Sequence, residues 1–94
     1  MMQFQHDDYC IYAEDENGQL LAEITYPPLD AETVNINHTY VHPSLRGRGI
    51  ADALMRAAID DIRSRNFKTM ATCSYAKKWF FQHPENEDIL CPRV

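Results

Sequence analysis

From Thr33 to Cys73 the spacing of apolar residues changes from a period of two to a period of 3.6 and back to two. Few topologies accommodate that pattern. Thr33–Val41 reads as a strand, with Val34, Ile36, His38 and Tyr40 on one face and Asn35, Asn37, Thr39 and Val41 on the other; Pro43 ends it. Ile50–Asn66 reads as a helix. Ala51, Leu54, Met55, Ala58, Ile59 and Ile62 form its buried stripe, and Asp52–Arg56, Arg56–Asp60 and Asp61–Arg65 are opposite charges one turn apart on its wet face. Asn66 suits a left-handed stop. Lys68–Cys73 is a short strand. Strand, helix and strand make a βαβ unit, so the two strands are expected to be parallel and joined by a right-handed crossover.

Upstream, Tyr9–Ala13 is short and β-prone, and Leu20–Tyr26 alternates cleanly. Glu14-Asp15-Glu16-Asn17-Gly18 lies between them and carries the Asn-Gly pair of a tight hairpin. Pro27-Pro28 stops the second strand. These strands and the third form an expected antiparallel meander. Downstream, Ser74 is placed to cap a last helix, Tyr75 to about Gln82, that buries Ala76, Trp79 and Phe80. His83-Pro84 ends it, and the tail to Val94 reads as irregular. The predicted class is α/β (α+β): a mixed, mostly antiparallel sheet with one parallel βαβ unit and flanking helices, in a single domain over residues 1–94.

With 94 residues and a net charge of −5, the chain can build two packed layers but no second domain. No basic stripe points to nucleic acid, and no apolar run approaches the roughly 20 residues of a membrane span. Met1–Asp8 is polar and acidic, unlike a secretory signal. The three cysteines, Cys10, Cys73 and Cys91, form no CxxC pair. That usage points to a reducing cytoplasm.

The segment Val41-His42-Pro43-Ser44-Leu45-Arg46-Gly47-Arg48-Gly49-Ile50-Ala51 leaves a strand and opens an amphipathic helix. Backbone N–H groups at a helix start lack intrahelical partners, and the helix dipole adds positive charge there. Gly47 and Gly49 let an anion approach the backbone closely, and Arg46 and Arg48 can add charge-assisted bonds. The chemistry is that of a phosphate site. The alternative is a plain glycine-rich turn with two solvated arginines. GxxxxGK[ST] and GxGxxG are both absent.

The run Arg46-Gly47-Arg48-Gly49-Ile50-Ala51 after Val41-His42-Pro43 resembles the [QR]-x-x-G-x-[GA] signature of the GNAT N-acetyltransferase superfamily. The resemblance covers roughly residues 9 to 83. It looks closest to the short YjdJ-type branch through Cys73-Ser74-Tyr75-Ala76-Lys77-Lys78-Trp79-Phe80-Phe81-Gln82-His83-Pro84-Glu85. It implies a minimal GNAT fold whose two parallel strands splay apart, and transfer of an acetyl group from acetyl-CoA to an amine, either a small molecule or a protein. The pyrophosphate falls to Arg46, Gly47, Arg48, Gly49, Ile50 and Ala51. The pantetheine arm falls to Val41, and Ser74 joins the cofactor set. No metal is implied. The chain departs from the wider family in two ways. Helices that roof the acceptor site in larger relatives have no room here, so that side is open or closed by a partner such as a homodimer mate. Relatives often read N-x-x-A-x-x-x-Y after the last parallel strand. Here Cys73 stands for the Asn and Phe80 for the Tyr, so the usual proton donor to the thiolate is missing.

Two residues remain as candidate catalysts. His38 titrates near neutral pH and could act as a base, or be a hydrogen-bonded core histidine. Cys73 sits at the end of a parallel strand beside a helix start, where a thiolate is favoured. It could accept the acetyl group as a thioester, donate a proton to CoA, or be a small buried thiol. His42 reads as exposed, and a metal shared by His38 and His42 is implausible across about 13 Å of strand. Cys10 and Cys91 read as structural. The rival to an enzyme is a CoA-binding or protein-interaction module without turnover.

Overall fold

The alternating run Thr33–Val41 belongs to two sheets. In the computed structural model, which describes residues 3–91, it divides at Asn37 into β4 (Thr33–Ile36) and β5 (His38–Val41). The remaining elements are β1 (Gln5–Asp7), β2 (Cys10–Glu14), β3 (Leu20–Thr25), α1 (Ile50–Ser64), β6 (Lys68–Ala71) and α2 (Ser74–Gln82). One sheet runs β1-β2-β3-β5, antiparallel throughout. The other is the parallel pair β4-β6, with Val34 beside Thr69 and Ile36 beside Ala71.

The switch is local. The Asn37 N–H donates to the Thr25 carbonyl at 3.3 Å, and Thr25 Oγ1 donates to Asn37 Oδ1 at 2.6 Å. The chain thereby leaves β6 and joins β3 within one residue. On the other side of the gap, the N–H groups of Thr72 and Cys73 both donate to the Ile36 carbonyl. That convergence ends β6 and turns the chain into α2. β5 and the end of β6 are consequently unpaired neighbours, and a cleft opens between them.

The expected helical stripe is the core except at Ala51, which is half-buried and lines a cleft instead. Leu54, Met55, Ala58, Ile59 and Ile62 are buried on α1 and pack in one cluster with Ile11, Ala22, Ile24 and Tyr26 of the first sheet, Val34 and Ile36 of β4, and Trp79 and Phe80 of α2. Each such aliphatic side chain withdrawn from water contributes roughly 1.5–3 kcal/mol. Asp52–Arg56 and Asp61–Arg65 form as expected at 2.8 and 3.0 Å. Arg56–Asp60 does not form, because Arg56 turns back to Asp52. Asp61 also accepts from the Tyr26 hydroxyl at 2.7 Å, which ties the last turns of α1 to the sheet.

Several expectations need correction. Ser74 does not cap α2: it is the first helical residue, and Cys73 holds the cap position with an extended backbone. β6 ends at Ala71 rather than Cys73. α1 ends at Ser64, with the expected left-handed Asn66 (φ 59°) just beyond. β1 was not anticipated, because its three residues are all exposed and show no apolar alternation. The tail is not irregular throughout. Pro84–Ile89 is a 3₁₀ helix that buries Ile89, and Leu90 bridges to Thr69.

Candidate active site

The glycine loop is held by local bonds. Pro43–Leu45 forms one 3₁₀ turn, and His42 caps it, its Nδ1 accepting from the Ser44 N–H at 3.1 Å. His42 is therefore a scaffold of the loop. Gly47 and Gly49 have φ of 82° and 74°, a region costly for any residue with a Cβ. Gly49 is the N-cap of α1 and brings no side chain to the helix start. The next N–H groups, Ile50 to Asp52, precede the first intrahelical bond, from the Ala53 N–H to the Gly49 carbonyl. A Cβ built on Gly47 or Gly49 would meet nothing within 4 Å, so the space over both glycines is open.

That space is a cleft of about 250 Å³ lined by Val41, Leu45, Arg46, Gly47, Gly49, Ile50, Ala51, Asp52 and Tyr75. Six residues singled out in the sequence meet there: Val41, Arg46, Gly47, Gly49, Ile50 and Ala51. Arg48 and Ser74 are not in its wall. Arg46 Nε donates to the Val41 carbonyl at 3.3 Å, joining the loop to β5. Asp52 is a carboxylate at a helix start, and both its oxygens are engaged. Oδ1 accepts from Trp79 Nε1 at 2.7 Å and Oδ2 from Arg56 Nε at 2.8 Å. The Trp79 bond, then the Arg56 bond, hold its pKa below the usual carboxylate range.

Cys73 lies across the gap from β5. Its Sγ is 3.5 Å from Thr39 Oγ1. Partial burial pushes the thiol up, but hydrogen bonds from the Thr39 hydroxyl and from the N–H groups of Ala76, Tyr75 and Thr39 together outweigh it, leaving the pKa below the ordinary thiol value.

His38 stands elsewhere. Thr39 pairs with buried Ile24, and His38 with Thr25, so successive β5 side chains face opposite sides. Cys73 and Thr39 share the helix side. His38 is on the open side, half-exposed, with Nε2 3.4 Å from Glu23 Oε1. The core-histidine reading is overturned, because the break at Asn37 moves His38 off the face of Val34 and Ile36. Thr39, Asp52 and Tyr75 were missed as site residues. Only Thr39 left a trace in the sequence, as the neighbour of His38 on the other face. Burial, then the charge of Asp52, raise the Tyr75 phenol pKa, so it keeps its proton. Among the described residues no three His, Cys, Asp or Glu side chains converge as metal ligands.

Residues 8–89 match the family described as GCN5-related N-acetyl-transferase. The chain is 36% identical over 63 residues to protein NATD1 of Xenopus tropicalis, covering 67% of this chain and 58% of the relative. The human NATD1 match is 35% identical over the same length, covering 56% of that protein. The chain thus spans little more than half of the curated relatives it matches. A GCN5-like protein of Staphylococcus aureus, solved by NMR, superposes with a TM-score of 0.81 at 30% identity, covering 99% of this chain and 91% of that one. The Escherichia coli GNAT-family N-acetyltransferase YhbS, crystallised with CoA, superposes with a TM-score of 0.63 at 20% identity, covering 77% of this chain and 43% of that one, a likeness of fold.

Proposed function

The chain belongs to the GCN5-related N-acetyltransferase family, and from that premise we propose that it binds acetyl-CoA in the cleft between β5 and α2 and passes the acetyl group through Cys73 to an amine. The observation that carries this reading is the open cleft over the α1 start, with Tyr75 of its wall two residues from Cys73. It begins at the left-handed glycines and open N–H groups of the α1 start. It runs along Val41 and faces a gap whose far side holds a thiol ringed by hydrogen-bond donors.

In this reading the N–H groups from Gly47 to Ala51 hold the pyrophosphate, as helix starts hold anions, and the guanidinium of Arg46 adds charge. Arg48 reaches the phosphates from outside the cleft wall. Val41 runs beside the pantetheine arm, and Ser74 flanks the thioester from the first turn of α2. The Cys73 thiolate attacks the acetyl carbonyl, the CoA thiolate leaves and is protonated by solvent, and a Cys73 acetyl thioester remains. A neutral amine then attacks that carbonyl and expels the Cys73 thiolate. The amine gives up its proton to water. The donors around Sγ favour the thiolate both as nucleophile and as leaving group. The depressed thiol pKa suits these roles better than that of an acid towards CoA. The three cysteines are free thiols, in keeping with a reducing, cytoplasmic setting, and no helix among the described residues is long and apolar enough to cross a membrane.

A second reading, a CoA-binding module without turnover, rests on Phe80. It occupies the place of the family's tyrosine acid and is buried at 5% exposure, with no proton to give. The test is incubation with acetyl-CoA alone, followed by an amine panel. One acetyl mass, removed by hydroxylamine and lost in Cys73→Ala, supports the covalent route. Full turnover in Cys73→Ala rejects that route in favour of direct attack. CoA binding without acetylation or CoA release supports the module.

A further inference from the structure

A groove of about 350 Å³ lies on the far side of α2 from the cofactor cleft, between β6, α2 and the 3₁₀ turn Pro84–Ile89. Its apolar wall includes Met70, Phe80, Phe81 and Leu90. Phe81 is 87% exposed and Met70 44%. Single exposed apolar residues need no explanation, but two that border one groove mark a contact surface. Two charges flank the apolar wall, Lys77 on α2 and Glu87 on the 3₁₀ turn. Neither side chain forms an ion pair among the described residues.

We propose that this groove is the interface of a twofold homodimer, in which Phe81 of each copy enters the groove of the other and Lys77 of each faces Glu87 of the other. A twofold interface brings one patch against itself, so it must be self-complementary. This patch is: it offers a knob and a hollow, and a cation and an anion on opposite rims. An acidic or a basic peptide would meet one like charge in the same groove. The proposal stands independently of CoA binding, since Lys77, Phe81 and Glu87, the residues it rests on, do not line the cofactor cleft.

Sedimentation equilibrium of the full chain over a concentration series is the test. The unaltered protein is expected to show a monomer–dimer equilibrium. Phe81→Asp, a change at a position already in solvent, should fold normally by circular dichroism and weaken dimerisation at least about thirtyfold, as loss of an aromatic anchor does. Lys77→Glu and Glu87→Lys each break the pair twice across the twofold, so each should weaken it about two- to thirtyfold, and the double reversal should restore it. That rescue distinguishes facing charges from a general effect on folding. A protein that stays monomeric at every concentration overturns the proposal and leaves the groove to a partner of another sequence. An unchanged dimer in Phe81→Asp, or a double reversal weaker than either single change, also overturns it.

Discussion

The three thiols sit in different surroundings, and their chemistry should separate accordingly. Burial, then the charge and hydrogen bond of Glu23, push Cys10 up to about 11. Cys73 is held below the ordinary thiol value by donors from Thr39, Ala76 and Tyr75. At neutral pH iodoacetamide is therefore expected to label Cys73 before Cys10, read by peptide mass. Thr39→Val removes the hydroxyl donor, so the Cys73 pKa must rise and its labelling rate at pH 7 fall about three- to tenfold. An unchanged rate would mean that the helix N–H groups alone hold the thiolate. This contact was out of reach of the sequence. Thr39 and Cys73 are brought together only because one strand changes sheets between them and their common core.

At the scale of elements, the proposed cofactor site rests on the α1 start, and the Trp79–Asp52 bond ties that start to α2. Gly49→Val adds a Cβ where φ is 74° and the protein leaves open space. The variant is expected to keep its sheet, lose about 1–2 kcal/mol of stability to backbone strain, and lose measurable CoA binding by calorimetry. Normal binding by the folded variant would remove the loop from the site. Trp79→Phe deletes the Nε1 bond to Asp52 and, with the smaller ring, part of the packing against Phe80 and His83, so the loss is at least that of the bond. A hydrogen bond to a charged group in this setting contributes about 1.5–3 kcal/mol, and a drop of at least that size should appear in denaturant melts. The glycine loop, the α1 stripe and the parallel pair were legible because each follows from a period or from a residue with a special backbone. The Trp79–Asp52 bond was not, since no local pattern pairs a tryptophan with an aspartate on another helix. β1 and the 3₁₀ turn escaped for the opposite reason. They are short and polar, and tertiary contacts hold them rather than propensity.

For the molecule as a whole, the titration of Cys10 and Tyr26 sets an alkaline limit. Burial and the bond to Asp61 push the Tyr26 phenol up from its ordinary value of 10.0, and Cys10 rises from 9.0 to about 11. Both groups give up protons more readily in the unfolded chain than in the folded one. Their contribution to stability is whole below pH 9 and declines as pH rises through 11. Urea melts across that window should show the decline. Tyr26→Phe should lower stability by about 1.5–3 kcal/mol at neutral pH and flatten the alkaline slope. A slope identical to that of the unaltered protein would remove Tyr26 from this account. The change of partners at Asn37 also bears on how the chain assembles. The antiparallel sheet joins residues as near as Asp7 and Cys10, whereas β6 finds its partner only across the whole of α1, Lys68 beside Thr33. Pairings between distant segments close later than local ones. The β2–β3 amides should therefore gain protection before those of Met70 and Thr72 in pulse-labelled hydrogen exchange. The seam between the early antiparallel sheet and the late parallel pair is the gap beside Cys73, so the pocket proposed for the acetyl donor takes shape only when the last strand docks.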